Sequence, residues 1–292
     1  MVRDGEVHEQ ARGASPLRAS GLRRMLVSAA VLVPIIGCAP SPLPNPDTPR
    51  RWVFAAEPSF VDEFDVDGPI DPTLWLPSVG PRGDAALTAR ESNVRVSGGN
   101  LVIEARAEPE AGKRFTSAMI ETRRSFLHGR FEARMKFPTG AGTWPAFWLC
   151  CTGAWPDSGE IDVVEHYAVG GDVFGLHTGW AESNLHSTPN LFGSSRFRLT
   201  RTRVDAGAWN TYAVEWAPDE IRFFVNDTIT AIHRRSDPSS ADGGWPFDTQ
   251  PEVLLLDLFL GGPAGPVDAA AMPQQLLVDW VRAYDLVGPA GS

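Results

Sequence analysis

Apolar and polar residues alternate along several short segments of this chain, and turn residues separate the segments from one another. Residues 130–137 show the pattern most clearly, because four apolar residues share one face while charged residues occupy the other. Residues 101–106 and 212–216 repeat it. A period of two residues is typical of a strand with one buried face, so each segment is predicted to be a strand.

Two further segments indicate how the strands connect and pack. Residues 221–225 and 228–232 flank Asn226-Asp227, a two-residue turn of the kind that tolerates positive φ and closes a hairpin. Residues 253–260 form an almost continuous apolar run, which predicts a strand buried on both faces. Helical periodicity is limited to a short turn near residues 269–274. Closely spaced strands without helices predict an all-β fold built as a two-sheet sandwich.

The composition fits one large β domain that binds an uncharged polymer. At 292 residues the chain is long enough for a single sandwich with a sizeable core. It contains 10 Trp and 15 Phe but only 3 Tyr, and tryptophan offers a flat apolar face and one N–H donor that suit a binding groove. The formal charge of −10 disfavours nucleic acid as a partner. A neutral polymer suits this charge better as a partner, and we expect the protein to be a monomer.

Three carboxylates fall within six residues, at Glu160, Asp162 and Glu165, and β-branched aliphatic residues fill every gap between them. Such filling favours an extended strand, in which Glu160 and Asp162 share a face and Glu165 points the other way. One extra residue in the strand, a β-bulge, corrects the parity, and bulges are common beside active sites. All three carboxylates would then line one groove. A Ca²⁺-binding cluster and the polar outer face of an ordinary strand are the alternatives.

Convergent carboxylates suit the hydrolysis of glycosidic bonds. A retaining glycosidase uses two carboxyl groups, one as the nucleophile and one as the acid/base. Asp162, between the two glutamates, is placed to hydrogen-bond one of them and to separate their pKa values, so that one stays ionised and the other protonated. A charged outer face gives no reason for the tryptophans just upstream of the strand, and the pattern therefore favours catalysis.

The run Glu-Ile-Asp-Val-Val-Glu resembles the E-x-D-x-x-E signature of glycoside hydrolase family 16 in its β-bulge form. Segments on both sides are similar to bacterial laminarinases and follow the family's order, so that the resemblance covers most of residues 60–285. These segments are residues 128–136, 142–149, 155–159, 209–216 and 277–284. The resemblance implies a β-jelly-roll sandwich of two antiparallel sheets with a concave substrate cleft.

The resemblance also implies the reaction, which is that of a retaining endo-glycosidase. We expect hydrolysis of internal β-linkages of a polysaccharide, with β-1,3-glucan as the best single substrate and no cofactor required for catalysis. Glu160 attacks the anomeric carbon, Glu165 protonates the leaving oxygen and then activates water, and Asp162 orients and tunes Glu160. Three alternatives stay open: a transglycosylase on the same kind of glycan, an endo-hydrolase of galactan or agar-type polymers, and a glycan-binding lipoprotein without catalysis.

Two tryptophans upstream of the carboxylates are expected to form the floor of the cleft. Trp144 and Trp148 are four residues apart, so that on a strand both face the same side, and they align with cleft tryptophans of the family. Pro145 between them indicates an edge position or an irregular start of the strand. Core packing is the alternative for such a pair.

Further sugar contacts are implied by the resemblance alone. His177 resembles the histidine that follows the catalytic strand and faces the acid/base, while Asn93 and Arg123 resemble sugar-contacting positions near the non-reducing end of the cleft. A hydrogen-bonded structural role is the alternative for His177. His166, next to Glu165, falls on the opposite face of the strand and is expected to be structural.

A structural Ca²⁺ is also implied by the resemblance, with Glu63, Gly99 and Asp279 as its site. Mixed side-chain and backbone oxygens suit this ion. Asp279 lies among apolar residues, where a buried carboxylate needs a partner, and a salt bridge is the alternative explanation.

Three departures from the family pattern limit the substrate assignment. They fall at residues 150–151, 164–168 and 258–262, and they point to remodelled walls around the sugar subsites. The first of them is Cys150-Cys151. Adjacent residues in a strand point to opposite faces, which would strain a disulfide between them. Both cysteines are therefore expected to be small packing residues, and the fold to stand without disulfides.

The first fifty residues predict export and anchoring. Arginines precede an apolar run at residues 25–37, which has the length of a signal-peptide core and ends in Ile-Ile-Gly-Cys. This ending resembles the bacterial lipobox, in which Cys38 becomes the lipidated first residue of the mature protein. A conventional signal peptide with a chance cysteine and an uncleaved anchor are the alternatives.

The resulting organisation has four parts. We expect a lipoprotein-type signal peptide at residues 1–37, a Pro-rich tether at 38–51, the catalytic domain at 52–287 and a tail at 288–292. The protein would be exported to the cell envelope or the extracellular space, and it would meet the membrane only through its lipid anchor.

Overall fold

The fold is built almost entirely from short antiparallel strands, as the alternating pattern predicts. The computed structural model describes residues 44–45, 48–150, 152–168, 179–187, 196–197, 199–237 and 244–291. Within these ranges, twenty-one strands form two large sheets and two small ones, and the helices are three 3-10 turns of three residues each. The predicted sandwich of two antiparallel sheets is therefore confirmed.

The first large sheet, called the outer sheet, contains eight strands. In spatial order they are β18 (Thr228–Arg234), β17 (Glu220–Val225), β16 (Asn210–Ala217), β10 (Gly129–Lys136), β20 (Gln274–Tyr284), β7 (Leu101–Ala105) and β6 (Val94–Val96), with β2 (Phe60–Asp62) also paired to β20. Every pair in this sheet is antiparallel.

The second large sheet, called the cleft sheet, carries the three carboxylates and also contains eight strands. In spatial order they are β14 (Arg196–Phe197), β13 (Trp180–Ser187), β12 (Glu160–Glu165), β11 (Thr143–Cys150), β19 (Glu252–Leu260), β9 (Met119–Phe126) and β3 (Trp75–Pro77), with β15 (Thr200–Arg203) also paired to β13. Strand β12, which carries the three carboxylates, is thus an interior strand between β11 and β13.

Two small sheets and three short turns complete the described chain. The small sheets are the pair β1 (Trp52–Phe54) with β21 (Leu286–Pro289), and the group β4 (Gly80–Arg82), β5 (Ala85–Leu87) and β8 (Phe115–Ser117). The 3-10 turns are Pro246–Asp248, Gly262–Ala264 and Ala269–Ala271. The last of them lies in the segment where the sequence predicted a short helical turn. None of the helices in the described ranges is long or apolar enough to cross a membrane.

The core lies between the two large sheets and is one continuous apolar cluster. Phe131 on β10 meets Phe126 on β9 edge to face, with ring centroids 5.2 Å apart, and it also contacts Trp216 on β16. Full burial of such a side chain stabilises the fold by roughly 1.5–3 kcal/mol. The apolar face predicted for residues 130–137 is therefore the face that joins the sheets.

Both connection and packing predictions from the apolar pattern are confirmed. Asn226 and Asp227 form the turn between β17 and β18 with φ values of 48° and 64°, the positive range expected for this hairpin. Strand β19 is buried along nearly its whole length. Its Leu254, Leu256 and Leu258 face the core, while Leu255 and Phe259 form a second apolar cluster on the cleft side.

The described chain near the predicted start of the domain is docked onto the outer sheet. The buried Arg222 on β17 donates hydrogen bonds to the carbonyls of Thr48 and Pro49, at 3.1 and 2.5 Å. Arg50 pairs with Glu215 at 3.0 Å. The last residues of the predicted tether therefore pack against the domain. Residues 1–43, which include the predicted signal peptide and Cys38, lie outside the described residues.

The expectation of a fold without disulfides is wrong, because Cys150 is disulfide-bonded. Its partner lies outside the described residues. Cys150 is the last residue of β11. The prediction that Cys150 is a buried packing residue holds, since its side chain is fully buried in the apolar cluster on the cleft side.

Candidate active site

A β-bulge in β12 brings the three carboxylates to one face, as the spacing predicts. Opposite β11, Glu160 pairs with Cys150 and Asp162 with Trp148, but Glu165 pairs with Ala146 after a shift of register. Val163 is the extra residue, and its side chain and that of Val164 are both buried in the core. Two successive inward residues reverse the parity of the strand. Glu160, Asp162 and Glu165 therefore all face the cleft.

The carboxylates share a cavity with residues from three other strands. Trp144, Ala146 and Trp148 come from β11, Asp257 and Phe259 from β19, and Arg82 from β4. Both predicted tryptophans are therefore cleft residues. Trp144 is half-buried and Trp148 is buried, with its indole N–H donating to Asp257 at 2.7 Å.

The edge position inferred from Pro145 is wrong, because β11 is paired on both sides. The alternative of an irregular start is the one observed. The Pro145 carbonyl accepts a hydrogen bond from the His166 N–H at 3.1 Å, on the side of β12. Proline lacks the N–H that would point to the same side. Pro145 lies just beyond Ala146 and Glu165, which form the last residue pair between β11 and β12 at this end. Because proline has no N–H, the Pro145–His166 pair keeps only one of the two hydrogen bonds that such a pair can exchange.

Glu160 and Asp162 are joined by a histidine from the neighbouring strand. His186 on β13 places Nε2 3.3 Å from a carboxylate oxygen of Glu160 and 3.0 Å from one of Asp162. Burial raises the pKa of Glu160 to about 8, the Asp162 charge adds to the rise, and His186 opposes it. The Asp162 charge acts on Glu160 in favour of the protonated form, because the two carboxylates are like charges. His186 and a hydrogen bond from the Trp155 side chain favour the ionised form of Glu160.

Glu165 receives hydrogen bonds that oppose the effect of its burial. Burial raises the pKa of Glu165, while hydrogen bonds from Tyr167 and Trp144 lower it. The Trp144 indole Nε1 lies 2.9 Å from Oε1 of Glu165. A carboxyl group with a raised pKa and fixed donors is suited to accept and return a proton near neutral pH.

Asp257 is a fourth carboxyl group in the cavity and is completely buried. Burial raises its pKa well above the ordinary value, and the Trp148 hydrogen bond opposes the rise. Its second oxygen, Oδ1, has no hydrogen-bond partner among the described residues. Asp162, also buried, has a raised pKa for the same main reason, with the charges of Glu165 and Asp257 adding to it. The four groups cannot all be ionised in so small a space.

The remaining predicted sugar contacts are distributed differently. Asn93 is fully buried, and its amide bonds Thr88, Thr116 and the Glu104 carbonyl, so the structure does not bring it to the carboxylates. Arg123 lies on β9 of the cleft sheet, near its edge, where its Nε donates to the Pro72 carbonyl at 2.5 Å.

Of the two histidines considered near the carboxylates, only His166 lies within the described residues. His177 lies outside the described residues. His166 is buried and stacks on Phe137 with ring centroids 5.5 Å apart, and its Nδ1 lies 2.8 Å from the Trp180 carbonyl oxygen. It is a structural residue on the core side, as expected.

The two carboxylates expected to bind calcium each pair with an arginine. Both oxygens of Glu63 pair with Arg282, at 2.8 and 3.0 Å, and Asp279 pairs with Arg134 at 2.5 Å. Gly99 lies in a turn with φ of 72°. Two carboxylates already neutralised by different arginines fit the salt-bridge alternative rather than a shared cation.

The sequence reasoning missed His186, Asp257, Tyr167 and Arg82. Asp257 had a usable signal, because it is a lone carboxylate inside the apolar run at residues 253–260, and a buried carboxylate needs a partner. The other three had none. The position of His186 depends on the register of β13 against β12, and that of Tyr167 on the segment that follows β12. Arg82 lies on a strand of a separate small sheet.

The raised pKa of Glu160 links the stability of the protein to pH. The folded-state pKa of about 8 lies above the ordinary value of 4.5. The contribution of Glu160 to the free energy of unfolding is therefore fully present below about pH 4.5 and is lost as the pH rises toward 8. We expect a Glu160→Gln variant to match the wild type in thermal unfolding near pH 4.5. At pH 8 the variant should be more stable, by on the order of 1 kcal/mol for each pKa unit of difference. An equal offset at both pH values would contradict this linkage.

The chain is similar to known proteins over most of its length. The sequence model of Glycosyl hydrolases family 16 matches residues 82–282. A beta-glucanase of Rhodothermus marinus is 38% identical over 284 residues, which cover 90% of this chain and 96% of that protein. A keratan-sulfate endo-1,4-beta-galactosidase of Sphingobacterium multivorum is 30% identical over 77% of this chain and 54% of that protein.

A solved structure shares the fold. The laminarinase from Rhodothermus marinus superposes with a TM-score of 0.69 at 36% identity, covering 82% of this chain and 100% of that one.

Proposed function

The chain belongs to glycosyl hydrolases family 16, and we propose that it hydrolyses internal linkages of a β-1,3-glucan with retention of the anomeric configuration. The observation that carries the proposal is the bulge at Val163, which turns Glu160 and Glu165 to the same side of an interior strand. The similar laminarinase and beta-glucanase support the substrate. The substrate is a neutral polymer, which suits a cavity that already holds four carboxyl groups.

The site carries out the reaction in two steps. Glu160 attacks the anomeric carbon, and its oxygen bonds to the sugar as the bond to the leaving oxygen breaks, while Glu165 gives that oxygen its proton. Water then attacks the same carbon, Glu165 takes the proton back, and Glu160 leaves as a carboxylate. His186 favours the ionised form of Glu160 before the attack. These residues supply both nucleophile and acid, so we propose that catalysis needs no cofactor.

The cleft binds the sugar through aromatic and polar groups of the same cavity. Trp144 offers a face on which a sugar ring stacks, while the buried Trp148 forms the floor beneath it, and each indole N–H is already used by a carboxyl group. Arg82 lies over the Phe259 ring at 5.1 Å and makes no hydrogen bond or ion pair with a described residue. Its N–H groups are therefore available to sugar hydroxyls.

A panel of polysaccharides tests the proposal. We expect laminarin to release reducing ends fastest, with products of mixed length at early times, since internal cleavage shortens the polymer before monomers accumulate. Mixed-linkage glucan, galactan and agar-type polymers complete the panel. Faster cleavage of a galactan would overturn the substrate, and the similarity to a keratan-sulfate galactosidase makes that comparison necessary. Early products longer than the substrate would indicate transglycosylation, and binding without new reducing ends would indicate a glycan-binding protein.

The proposal extends to the location of the protein. A polymer-cutting enzyme meets its substrate outside the cytoplasm, and the apolar run, the Cys38 context and the proline-rich tether form one coherent export signal. Acyl chains on Cys38 would add roughly 0.8 kcal/mol of membrane affinity per buried CH₂ group. We further propose that the mature enzyme is a monomer held at the cell envelope by this anchor.

Replacing Cys38 by Ser tests the anchor. The variant should leave the membrane fraction, or accumulate unprocessed, while the catalytic domain keeps its activity on laminarin. Fractionation and mass spectrometry of the mature N-terminus measure both effects. A soluble wild-type protein whose unmodified N-terminus lies beyond residue 38 would replace the lipoprotein assignment with simple secretion.

A further inference from the structure

The segment that follows β12, residues 166–168, is bound to β11 on both sides of Tyr167. The His166 N–H donates to the Pro145 carbonyl at 3.1 Å, and the Ala168 N–H donates to the Thr143 carbonyl at 3.0 Å. The Ala168 carbonyl in turn accepts a hydrogen bond from Gly142 at 2.7 Å. The backbone on either side of Tyr167 therefore has little freedom, and the position of its side chain is fixed.

Tyr167 uses this position to bind the acid/base carboxyl. Its hydroxyl donates a hydrogen bond to Glu165, and its ring contacts the Trp144 indole with centroids 5.5 Å apart. Trp144 binds the same carboxyl group from the neighbouring strand, at 2.9 Å. Burial and the Glu165 charge raise the pKa of Tyr167, so that the phenol stays protonated and remains a donor at any working pH. Two neutral donors from two elements thus hold Glu165.

Glu182 acts on Glu165 from the other side. It lies directly opposite Glu165 in the β12–β13 ladder, is buried, and pairs with Arg201 at 2.8 Å. Its negative charge raises the pKa of Glu165. The other titratable or charged groups around this carboxyl are Glu160 and Asp162 on β12, His186 on β13, Asp257 on β19 and Arg82 on β4.

We propose that Tyr167 is a positioning residue for the acid/base, and that Tyr167 and Glu182 tune the proton affinity of Glu165 in opposite directions. Tyr167 holds the carboxyl toward the glycosidic oxygen, so that the proton is delivered along a fixed path. The proposal rests on the assignment of Glu165 as the acid/base. Residues 166–168, part of a segment that departs from the family pattern, would then have a role in catalysis.

The two residues predict shifts of opposite sign in the pH profile of kcat/KM. Its alkaline limb reports the group that must be protonated in the free enzyme, here Glu165. Tyr167→Phe removes a donor to the carboxylate, so the pKa of Glu165 should rise and the alkaline limb should move up by about one pH unit. Glu182→Gln removes a negative neighbour, so the limb should move down by a similar amount. A merely structural role would not produce opposite shifts.

The leaving group of the substrate separates positioning from general damage. Glycosides of a β-1,3-linked disaccharide with a series of phenol leaving groups provide the comparison. Tyr167→Phe should lower kcat/KM about tenfold for poor leaving groups, which need the proton, and by less than about twofold for the most activated ones. KM for laminarin should stay nearly unchanged, because the tyrosine is occupied by Glu165 rather than by sugar.

Tyr284→Phe is the matched control. Tyr284 makes the same kind of hydrogen bond, to Glu132 at 2.9 Å, but on the outer sheet. This variant should keep the pH profile and the leaving-group dependence of the wild type. If Tyr167→Phe behaves like this control while the wild type cleaves laminarin, the role of Tyr167 is wrong and the proposed function stands.

A measurement without substrate tests the tuning even if no glucan is cleaved. Carboxyl carbon NMR of protein labelled at glutamate gives the titration of Glu165 directly, and its signal is assigned by its loss in Glu165→Gln. The titration should move to higher pH in Tyr167→Phe and to lower pH in Glu182→Gln. Shifts of the same sign, or no shift in either variant, would overturn the proposal. A wild type that is inactive on every glucan would count against the proposed function instead.

Discussion

Replacing Glu160 by Gln is expected to lower the rate of laminarin hydrolysis by about 10³-fold or more. The amide keeps the shape of the side chain and its place beside His186, but it cannot form the covalent bond to the anomeric carbon. Binding of the polysaccharide should persist, because the aromatic faces of the cleft are unchanged. Reducing-end release by the variant, prepared free of wild-type enzyme, measures the loss.

Glu252→Gln is the control for this substitution. Glu252 is a buried glutamate of the same sheet whose pKa burial raises to about 7, but it binds the Thr152 N–H and does not line the catalytic cavity. Its replacement should leave activity within about twofold, as expected for a residue outside the site. Near-normal hydrolysis by Glu160→Gln, or an equal loss in both variants, would remove Glu160 from the role of nucleophile.

Replacing Glu165 by Ala should lower kcat/KM on laminarin by about 10²–10⁴-fold, because no group then protonates the leaving oxygen. An aryl glycoside with an activated leaving group needs no such proton, so its first step should be largely preserved. The glycosyl-enzyme would then accumulate, since no base activates water. Added azide should attack it in place of water and restore turnover with a β-glycosyl azide as the product.

The configuration of that azide assigns the two glutamates independently. Loss of the acid/base leaves Glu160 to form the covalent intermediate, and two displacements preserve the β configuration. In a Glu160→Ala variant, azide can only attack the substrate directly, which gives the α product. If Glu165→Ala yields the α azide and Glu160→Ala the β azide, the roles of the two residues are reversed.

The fold class and the convergence of the three carboxylates were predictable because they depend on local pattern. Alternation of apolar residues reports which face of a strand is buried, and the β-branched residues between the carboxylates report an extended backbone. The bulge was predictable because only an odd insertion brings Glu165 to the face of Glu160. The hairpin turn at Asn226-Asp227 was predictable in the same way, because both residues tolerate the positive φ that the turn requires.

Contacts between strands distant in sequence needed the structure. Pro145 was expected at an edge or at an irregular start of the strand because proline lacks a donor, and it lies near the start of an interior strand, just beyond the last residue pair with β12. Asn93 was expected at the cleft, and its amide is fully used inside the domain. In both cases the outcome depends on which neighbour the fold places beside the residue.

The sequence by itself determined that a strand presents Glu160, Asp162 and Glu165 to one groove of an all-β sandwich. Only the tertiary structure decided the charges that act on them. His186 joins the first two carboxylates, Tyr167 and Trp144 hold the third, and Asp257 approaches from β19. The physical reason is the distance along the chain over which each effect acts. Side-chain direction follows from neighbouring residues along the chain, whereas burial and Coulomb interactions depend on groups that strand pairing brings within a few ångströms.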